Sequence, residues 1–237
     1  MARKGMVKHL KRIASTVFRG LPRKGAKWLK RTIPGKHAAK EAITLSELLT
    51  EKLKLVENSK QAKKILHDSN VLIDGIPVKN AKTPVGLMDV VSLPKLGKHY
   101  RVSTKKGAIA LIEIKPEETK TKYCKIIGKT TTKKGKIQLN LHDSRNYLIE
   151  KEEDNFKVGD TLVLSIPKQE LKTTIKLSKG VLCLIYKGKN SGTMGKLEEV
   201  LERKGGTEDN VKVKTSEGEQ ITLKSYLFAI DEKFKSE

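Results

Sequence analysis

The first forty residues contain thirteen lysines and arginines and no acidic residue. Such a segment cannot neutralise itself, and its like charges push it open unless another part of the chain or an external anion answers them. Gly5, Gly20, Pro22, Gly25, Pro34 and Gly35 interrupt it repeatedly, and Val7, Leu10, Ile13, Val17, Phe18, Leu21, Trp28, Leu29 and Ile33 are too scattered to form a core. The expectation is an arm that is disordered in isolation and orders as counterions are released from a polyanion. Over the whole chain of 237 residues, 50 Lys and Arg stand against 27 Asp and Glu, a formal charge of +23, and more than half of that excess lies in the arm. A surplus of this size points to a polyphosphate surface as partner. Aromatic residues make up only 4% of the chain, which argues against a binder that stacks base after base and for shape and phosphate contacts. A nuclear-import or membrane-surface tag is the other use of such a charge run.

The next stretch folds on its own terms. Leu45, Leu48, Leu49 and Leu53 recur at helical spacing, with Thr44 or Ser46 placed to cap the helix. A second helix starts at Ser59, where Ala62, Ile65 and Leu66 form one face and Lys60, Lys63 and Lys64 the other. Val71-Leu72-Ile73 and Ile76-Pro77-Val78 then flank Asp74-Gly75, a pair whose glycine accepts the positive φ of a tight hairpin turn. A last apolar strand, Val90 to Leu93, is entered through Gly86 and Asp89.

This order of elements resembles the RNA-binding domain named after bacterial small-subunit ribosomal protein four. The residues that carry it are A-K-x-I-L-x-x-x-x-V-L-I-D-G-x-x-V across 62–78 and G-x-x-D-V-V across 86–91. The module occurs in ribosomal proteins, pseudouridine synthases, methyltransferases and a tRNA synthetase, so it implies structured RNA without fixing what is done to it. His9-Leu10-Lys11-Arg12, Pro34-Gly35-Lys36-His37 and Val85-Gly86-Leu87-Met88-Asp89-Val90 narrow the likeness. Together they resemble the archaeal and eukaryotic small-subunit ribosomal protein family called four-e, over nearly the whole chain. That family is a structural, RNA-binding component without a catalytic centre, and the resemblance implies that His9 and His37 contact RNA.

The middle of the chain reads as short strands. Tyr100-Arg101-Val102 and residues 108–114 flank Lys105-Lys106-Gly107, and Ile137, Leu139 and Leu141 alternate with Gln138 and Asn140, as in a half-buried antiparallel sheet. His142 beside Asp143 has the residue types for proton transfer, but no nucleophile or third partner lies near in sequence. In the family this is a histidine–aspartate–glycine turn; here Ser144 takes the glycine's place, which weakens any expectation that the turn needs positive φ.

In residues 172–230 an apolar strand runs into the glycine-punctuated loop Lys187-Gly188-Lys189-Asn190-Ser191-Gly192-Thr193-Met194-Gly195-Lys196. This resembles the KOW motif of ribosomal proteins and elongation factors and implies a small five-stranded barrel, closed by Val211, Val213, Ile221, Leu223, Leu227, Phe228, Ala229 and Ile230. The glycine spacing does not match a phosphate-binding loop, and Leu197 stands where a magnesium-binding hydroxyl is required. The last seven residues are charged and expected to fray.

Cys124 and Cys183 are isolated from each other and from clustered histidines, so two buried, reduced thiols are expected, in a cytoplasmic protein, and no metal site. No apolar run is long enough to span a membrane, and no signal peptide follows the basic start. The expected fold is α+β, mainly β. It comprises a basic extended N-terminal arm over residues 1–40, a small ααβ RNA-binding domain of the ribosomal-protein-four type over 41–96, a central antiparallel β domain over 97–170 and a C-terminal KOW-type small β-barrel over 171–237. The expected function is that of a structural constituent of the small ribosomal subunit that binds folded ribosomal RNA beside neighbouring ribosomal proteins, with no cofactor, small-molecule substrate or membrane. The alternatives are a ribosome-associated KOW-type transcription or translation factor and an RNA-modifying enzyme. The candidate RNA contacts in the arm are Arg3, Lys4, Lys8, His9, Lys11, Arg12, Arg19, Arg23, Lys24, Lys27, Trp28, Lys30, Arg31, Lys36, His37 and Lys40. Lys60, Lys63, Lys64 and Lys79 follow in the helical module, and Lys187, Lys189, Asn190 and Lys196 in the glycine loop.

Overall fold

In the computed structural model, the structure describes residues 9–133, 135–201, 203, 208–216, 218–231 and 234. It is mostly β, with few helices. In the first part of the chain the strands are β1 (Leu10–Lys11), β2 (Trp28–Leu29), β3 (Ala42–Thr44), β4 (Leu72–Ile73), β5 (Ile76–Pro77), β6 (Pro84–Gly86), β7 (Val90–Leu93), β8 (Lys98–Lys105) and β9 (Ala108–Glu113). β1 pairs with β2, β3 pairs with β6, and the remaining five form one sheet in the order β5-β4-β7-β8-β9. The helices α1 (Leu45–Glu47), continued by a π-turn over Leu48–Lys52, and α2 (Ser59–His67) pack on it. Thr44, not Ser46, caps the first helix: its hydroxyl accepts from the Glu47 N–H at 3.3 Å. Asp74 and Gly75 both have positive φ, 52° and 77°, which gives the hairpin turn the twist its strands require.

The β8–β9 hairpin joins this first sheet, although it follows the expected boundary at residue 96. The reason is local: Pro94-Lys95-Leu96-Gly97 turns the chain straight back, so Leu93 pairs with Lys98 and Val90 with Arg101. The core beneath contains Ile43, Leu45, Leu48, Leu66, Val71, Val91 and Val102, each at most 1% exposed. At roughly 1.5–3 kcal/mol for each large aliphatic side chain removed from water, these residues hold the unit together.

The arm does not stand apart. Phe18 and Leu21 pack against the same core and Leu29 is buried. Arg19, 2% exposed, donates to Glu47 Oε2 at 3.0 Å and to the Lys30 carbonyl at 3.1 Å. Arg12 donates to Glu51 Oε1 at 2.6 Å and to the carbonyls of Pro22 and Ala26. The expectation of an unstructured arm is thus corrected for residues 9–40: the acids it lacks are supplied by the first helix.

The central sheet contains β10 (Thr121–Thr131), β11 (Ile137–Leu141), β12 (Asn146–Ile149), β13 (Thr161–Ser165) and β14 (Leu171–Ile175), in the order β12-β11-β10-β13-β14. All its pairings are antiparallel. The C-terminal sheet contains β15 (Leu182–Ile185), β16 (Met194–Leu201), β17 (Asn210–Thr215), β18 (Gly218–Leu223) and β19 (Leu227–Ala229), in the order β18-β17-β16-β15-β19. Among the described residues β18 and β19 do not pair, so the five strands form an open sheet and not the expected closed barrel. Val211, Val213, Leu227, Phe228, Ala229 and Ile230 are buried as expected, but Ile221 is 60% exposed because its register sets it opposite Lys212 on the outer face. Of the seven residues expected to fray, Glu232, Lys233 and residues 235–237 lie outside the described residues, but Phe234 departs from the expectation: it is 2% exposed, its ring meets Tyr123 edge-on at 5.7 Å, and the Arg101 guanidinium lies 5.7 Å from it.

Candidate nucleic-acid interface

The first and central sheets meet at a buried ion cluster built around Lys122 on β10. Its ammonium, fully buried, donates to Asp74 Oδ2 at 2.8 Å and Asp89 Oδ1 at 2.6 Å and lies 3.0 Å from Asp143 Oδ2. Arg145 bridges Asp74 at 2.8 Å and Asp143 at 3.1 Å, and Lys36 of the arm reaches Asp74 at 2.8 Å. His37 donates from Nε2 to Asp89 Oδ2 at 2.9 Å. A buried charge is tolerated only when it is paired and hydrogen-bonded, and here three carboxylates face three permanent cations. Burial by itself raises the Asp89 and Asp143 pKa values, but Lys122, with His37 at Asp89 and His142 and Arg145 at Asp143, reverses the effect and holds both below the usual carboxylate range. The same carboxylates hold the Lys122 ammonium above its ordinary value against the opposing effect of burial. Gly86 makes room for this arrangement, since a Cβ there would lie 2.4 Å from the His37 ring.

Cys124, His142 and Asp143 lie together beside this cluster, the residue types of a metal or catalytic site. Their bonds commit them elsewhere. His142 Nδ1 accepts from the Lys125 N–H at 3.2 Å, and Nε2 donates to the Leu87 carbonyl at 3.1 Å. Burial pushes its pKa down to about 4, so both ring nitrogens are engaged and the ring is neutral. Asp143 already faces Lys122 and Arg145, and the Cys124 thiol, pushed up by burial, donates to Asp143 at 3.8 Å. Both cysteines are buried and free, and burial raises Cys183 to about 12. Ser144 corrects the doubt over its turn: it adopts positive φ, 60°, without being glycine, and its hydroxyl donates to the Lys36 carbonyl at 3.0 Å.

A second joint ties the C-terminal sheet to the rest. Lys125 donates to the carbonyls of Ser225 at 2.6 Å and Leu227 at 2.7 Å, and burial, then the nearby Lys187, lowers its pKa to about 8. In the glycine loop the Lys106 N–H donates to the Ser191 carbonyl at 2.8 Å, and a Cβ on Gly192, at φ +99°, would lie 2.6 Å from the Thr104 carbonyl oxygen. The close approach that this glycine allows is therefore to the β8–β9 hairpin.

The expected RNA contacts divide by place. Arg12, Arg19 and His37 lie inside the fold, 6%, 2% and 8% exposed, because their charges or donors are needed by Glu51, Glu47 and Asp89. Arg3, Lys4 and Lys8 fall outside the described residues. Lys11, Arg23, Lys24, Lys27 and Lys40 are exposed, as are Lys60, Lys63, Lys64 and Lys79. Trp28 is 49% exposed; the exposed His9 ring meets it edge-on at 5.1 Å, and the Lys27 ammonium lies 5.4 Å from its centroid. Lys30, Arg31 and Lys36 are half-buried. In the loop Lys189 and Lys196 are exposed and Asn190 is half-buried, whereas Lys187 is drawn to Glu41, the residue following the arm, at 2.7 Å and over the Tyr186 ring. The acids of the central cluster were not among the RNA-contact candidates; Asp74 and Asp89 carried a signal only as turn and strand-entry residues, and Asp143 only as the neighbour of His142.

No helix among the described residues is long and apolar enough to cross a membrane. Residues 96–171 match the model of the ribosomal family S4e. The chain is 45% identical over 239 residues to the small ribosomal subunit protein eS4 of Methanocaldococcus jannaschii, covering 97% of this chain and 96% of that one. It is 42% identical over 231 residues to the protein of the same name from Methanosphaera stadtmanae, covering 97% and 95%. Its structure is similar to the crystal structure of the 30S ribosomal protein S4e from Thermoplasma acidophilum, with a TM-score of 0.70 and 29% identity over 83% of this chain and 98% of that one. A chain so alike over nearly its full length, in sequence and in its mostly β fold, belongs to the S4e family of ribosomal proteins.

Proposed function

We infer that this chain is a structural constituent of the small ribosomal subunit, that it binds ribosomal RNA beside neighbouring ribosomal proteins in the cytoplasm, and that it is not an enzyme. The observation that carries this reading is membership of the S4e family over 97% of the chain, joined to a formal charge of +23 whose exposed part is spread over the arm, α2 and the glycine loop. The arm would contribute Lys11, Arg23, Lys24, Lys27, Lys40 and the His9–Trp28–Lys27 cluster, with Arg3, Lys4 and Lys8 before it. The helical module of the ribosomal-protein-four type, with the β8–β9 hairpin added, would contribute Lys60, Lys63, Lys64 and Lys79. The C-terminal unit, KOW-like in its loop, would contribute Lys189, Asn190 and Lys196. Binding is then electrostatic capture and shape fit to phosphates, with the buried ion cluster holding the cationic surfaces in one geometry. The test is binding of a folded small-subunit ribosomal RNA transcript at several salt concentrations. A logarithmic affinity that falls linearly with the logarithm of salt supports the reading; a failure to bind at physiological ionic strength overturns it.

A further inference from the structure

Three lysines from separate places in the sequence stand around the crossing of the arm and the first module, where Ser46 accepts from the Lys30 ammonium and donates its backbone N–H to the carbonyl of Ala81, the residue before Lys82. Lys30 lies just after β2, Lys63 on the outer face of α2, and Lys82 in the turn before β6. The arm is pinned against that turn because Ile33 donates its backbone N–H to the Lys82 carbonyl at 3.1 Å. Lys30 is fixed at both ends: its backbone N–H donates to Glu47 Oε1 at 2.8 Å and its ammonium to Ser46 Oγ at 2.6 Å. Burial first, then repulsion from Lys63 and Lys82, holds that ammonium below the ordinary lysine value, while Glu47 opposes the shift. Glu47 is itself taken by Arg19, and neither Lys63 nor Lys82 has a carboxylate within salt-bridge distance among the described residues. Like charges gathered on one surface without acidic partners raise the energy of the free protein and are relieved by an anion.

A groove of about 550 Å³ opens beside them, between residues 31–39 of the arm, Lys82 and the Ser144 turn. Arg31 and Thr32 contribute to its wall. Thr32 is 8% exposed and its hydroxyl, on the groove wall, has no hydrogen-bond partner.

We propose that Lys30, Lys63 and Lys82, with the adjoining groove walled by Arg31 and Thr32, form one composite site for the sugar–phosphate backbone of a folded RNA strand. The proposal rests on the RNA-binding reading above and adds to it a residue, Lys82, and a location, the crossing of arm and α2. The site reads phosphates and not base edges: its charged groups are ammonium and guanidinium, no Phe, Tyr or Trp lines the groove, and its one ring, His37, is buried and engaged by Asp89. It also gives the ordered arm a use, because only a pinned arm holds Lys30 against the first helix and beside the Lys82 turn.

The test compares Lys63→Ala, Lys82→Ala, the double variant and Lys168→Ala in titrations of a folded small-subunit ribosomal RNA transcript over a range of salt. Lys63, Lys82 and Lys168 are all exposed, so the folded state should survive each change. Each of the first two variants is expected to lower the slope of log affinity against log salt by about 0.7–0.9, and the double by about twice that. Lys168→Ala, outside the site, is expected to match the unaltered chain. If Lys82→Ala instead behaves like Lys168→Ala while the unaltered chain still binds with a steep salt dependence, the composite site is wrong and the general RNA-binding reading survives. If the unaltered chain does not bind the transcript at all, both fall.

Discussion

The ammonium of Lys122 lies 2.6 Å from the carboxylate of Asp89, thirty-three residues earlier in the chain, and neither side chain has any solvent exposure. Asp89 opens a strand of the first sheet and Lys122 sits in the second, so one contact binds two units that could otherwise move independently. Asp74, Asp143, Arg145 and Lys36 complete it, drawing in the hairpin turn, the Ser144 turn and the arm. Replacing Lys122 by Met leaves carboxylates buried with too little positive charge, which typically costs about 3–5 kcal/mol. A urea denaturation curve should show that loss, and a variant as stable as the parent would mean that the cluster is relaxed or wet.

Acid should unfold the protein in two windows. The folded state keeps His142 neutral down to about pH 4, whereas an unfolded histidine takes its proton near 6.5, so the unfolded chain binds protons first and stability falls between those values. Below 3.8, Asp89 and Asp143 resist protonation in the fold while their unfolded counterparts do not, and stability falls again. His142→Gln, which retains a donor and an acceptor, should flatten the upper window and leave the lower one. Denaturation midpoints measured at successive pH values read both, and an unchanged upper window in the variant counts against the histidine.

Gly192→Ala tests the seat of the glycine loop. The added carbon would meet the Thr104 carbonyl oxygen at 2.6 Å in a backbone conformation that side chains rarely adopt. A loss of about 1–3 kcal/mol is expected from overpacking and strain. Hydrogen exchange should quicken at the Lys106 amide, which donates to Ser191. Exchange unchanged at that amide would show that the loop is not docked through this contact.

Arg19→Ala separates the two roles of arm cations. The carboxylate of Glu47, a residue 5% exposed, would keep the Lys30 N–H and the hydrogen bonds from Thr44 but lose its cation, and the fold should lose about 3–5 kcal/mol as with any buried pair broken on one side. Lys24→Ala, at an exposed position, should leave thermal stability within about 0.5 kcal/mol of the parent. Equal melting temperatures for the two variants would contradict the packed arm.

Much of this architecture was legible in the sequence because it is local. The leucine spacing of the first helix, the cationic and apolar faces of α2 and the Asp74-Gly75 turn each follow from period or backbone preference, and the chain bears them out. What was not legible depends on residues far apart in sequence. Asp74 reads as a turn residue and Asp89 as a strand entrance, and nothing near either signals Lys122. The arm reads as self-repelling because Glu47 and Glu51, which neutralise Arg19 and Arg12, lie outside it. Ile221 reads as core until its pairing with Lys212 turns it outward, and the β8–β9 hairpin reads as central until the turn at 94–97 folds it back. In the same way, the cations that face solvent could not be told by composition from those the fold consumes.

The most direct measurement is the amount of this chain that remains in purified small ribosomal subunits after successive washes at rising salt, quantified by mass spectrometry against the other subunit proteins. A structural constituent held by phosphate contacts from several fixed surfaces should remain near one copy per subunit until other integral proteins begin to leave. A chain lost at the first modest rise in salt, with the subunit otherwise complete, would be a visitor to the ribosome and would contradict the account.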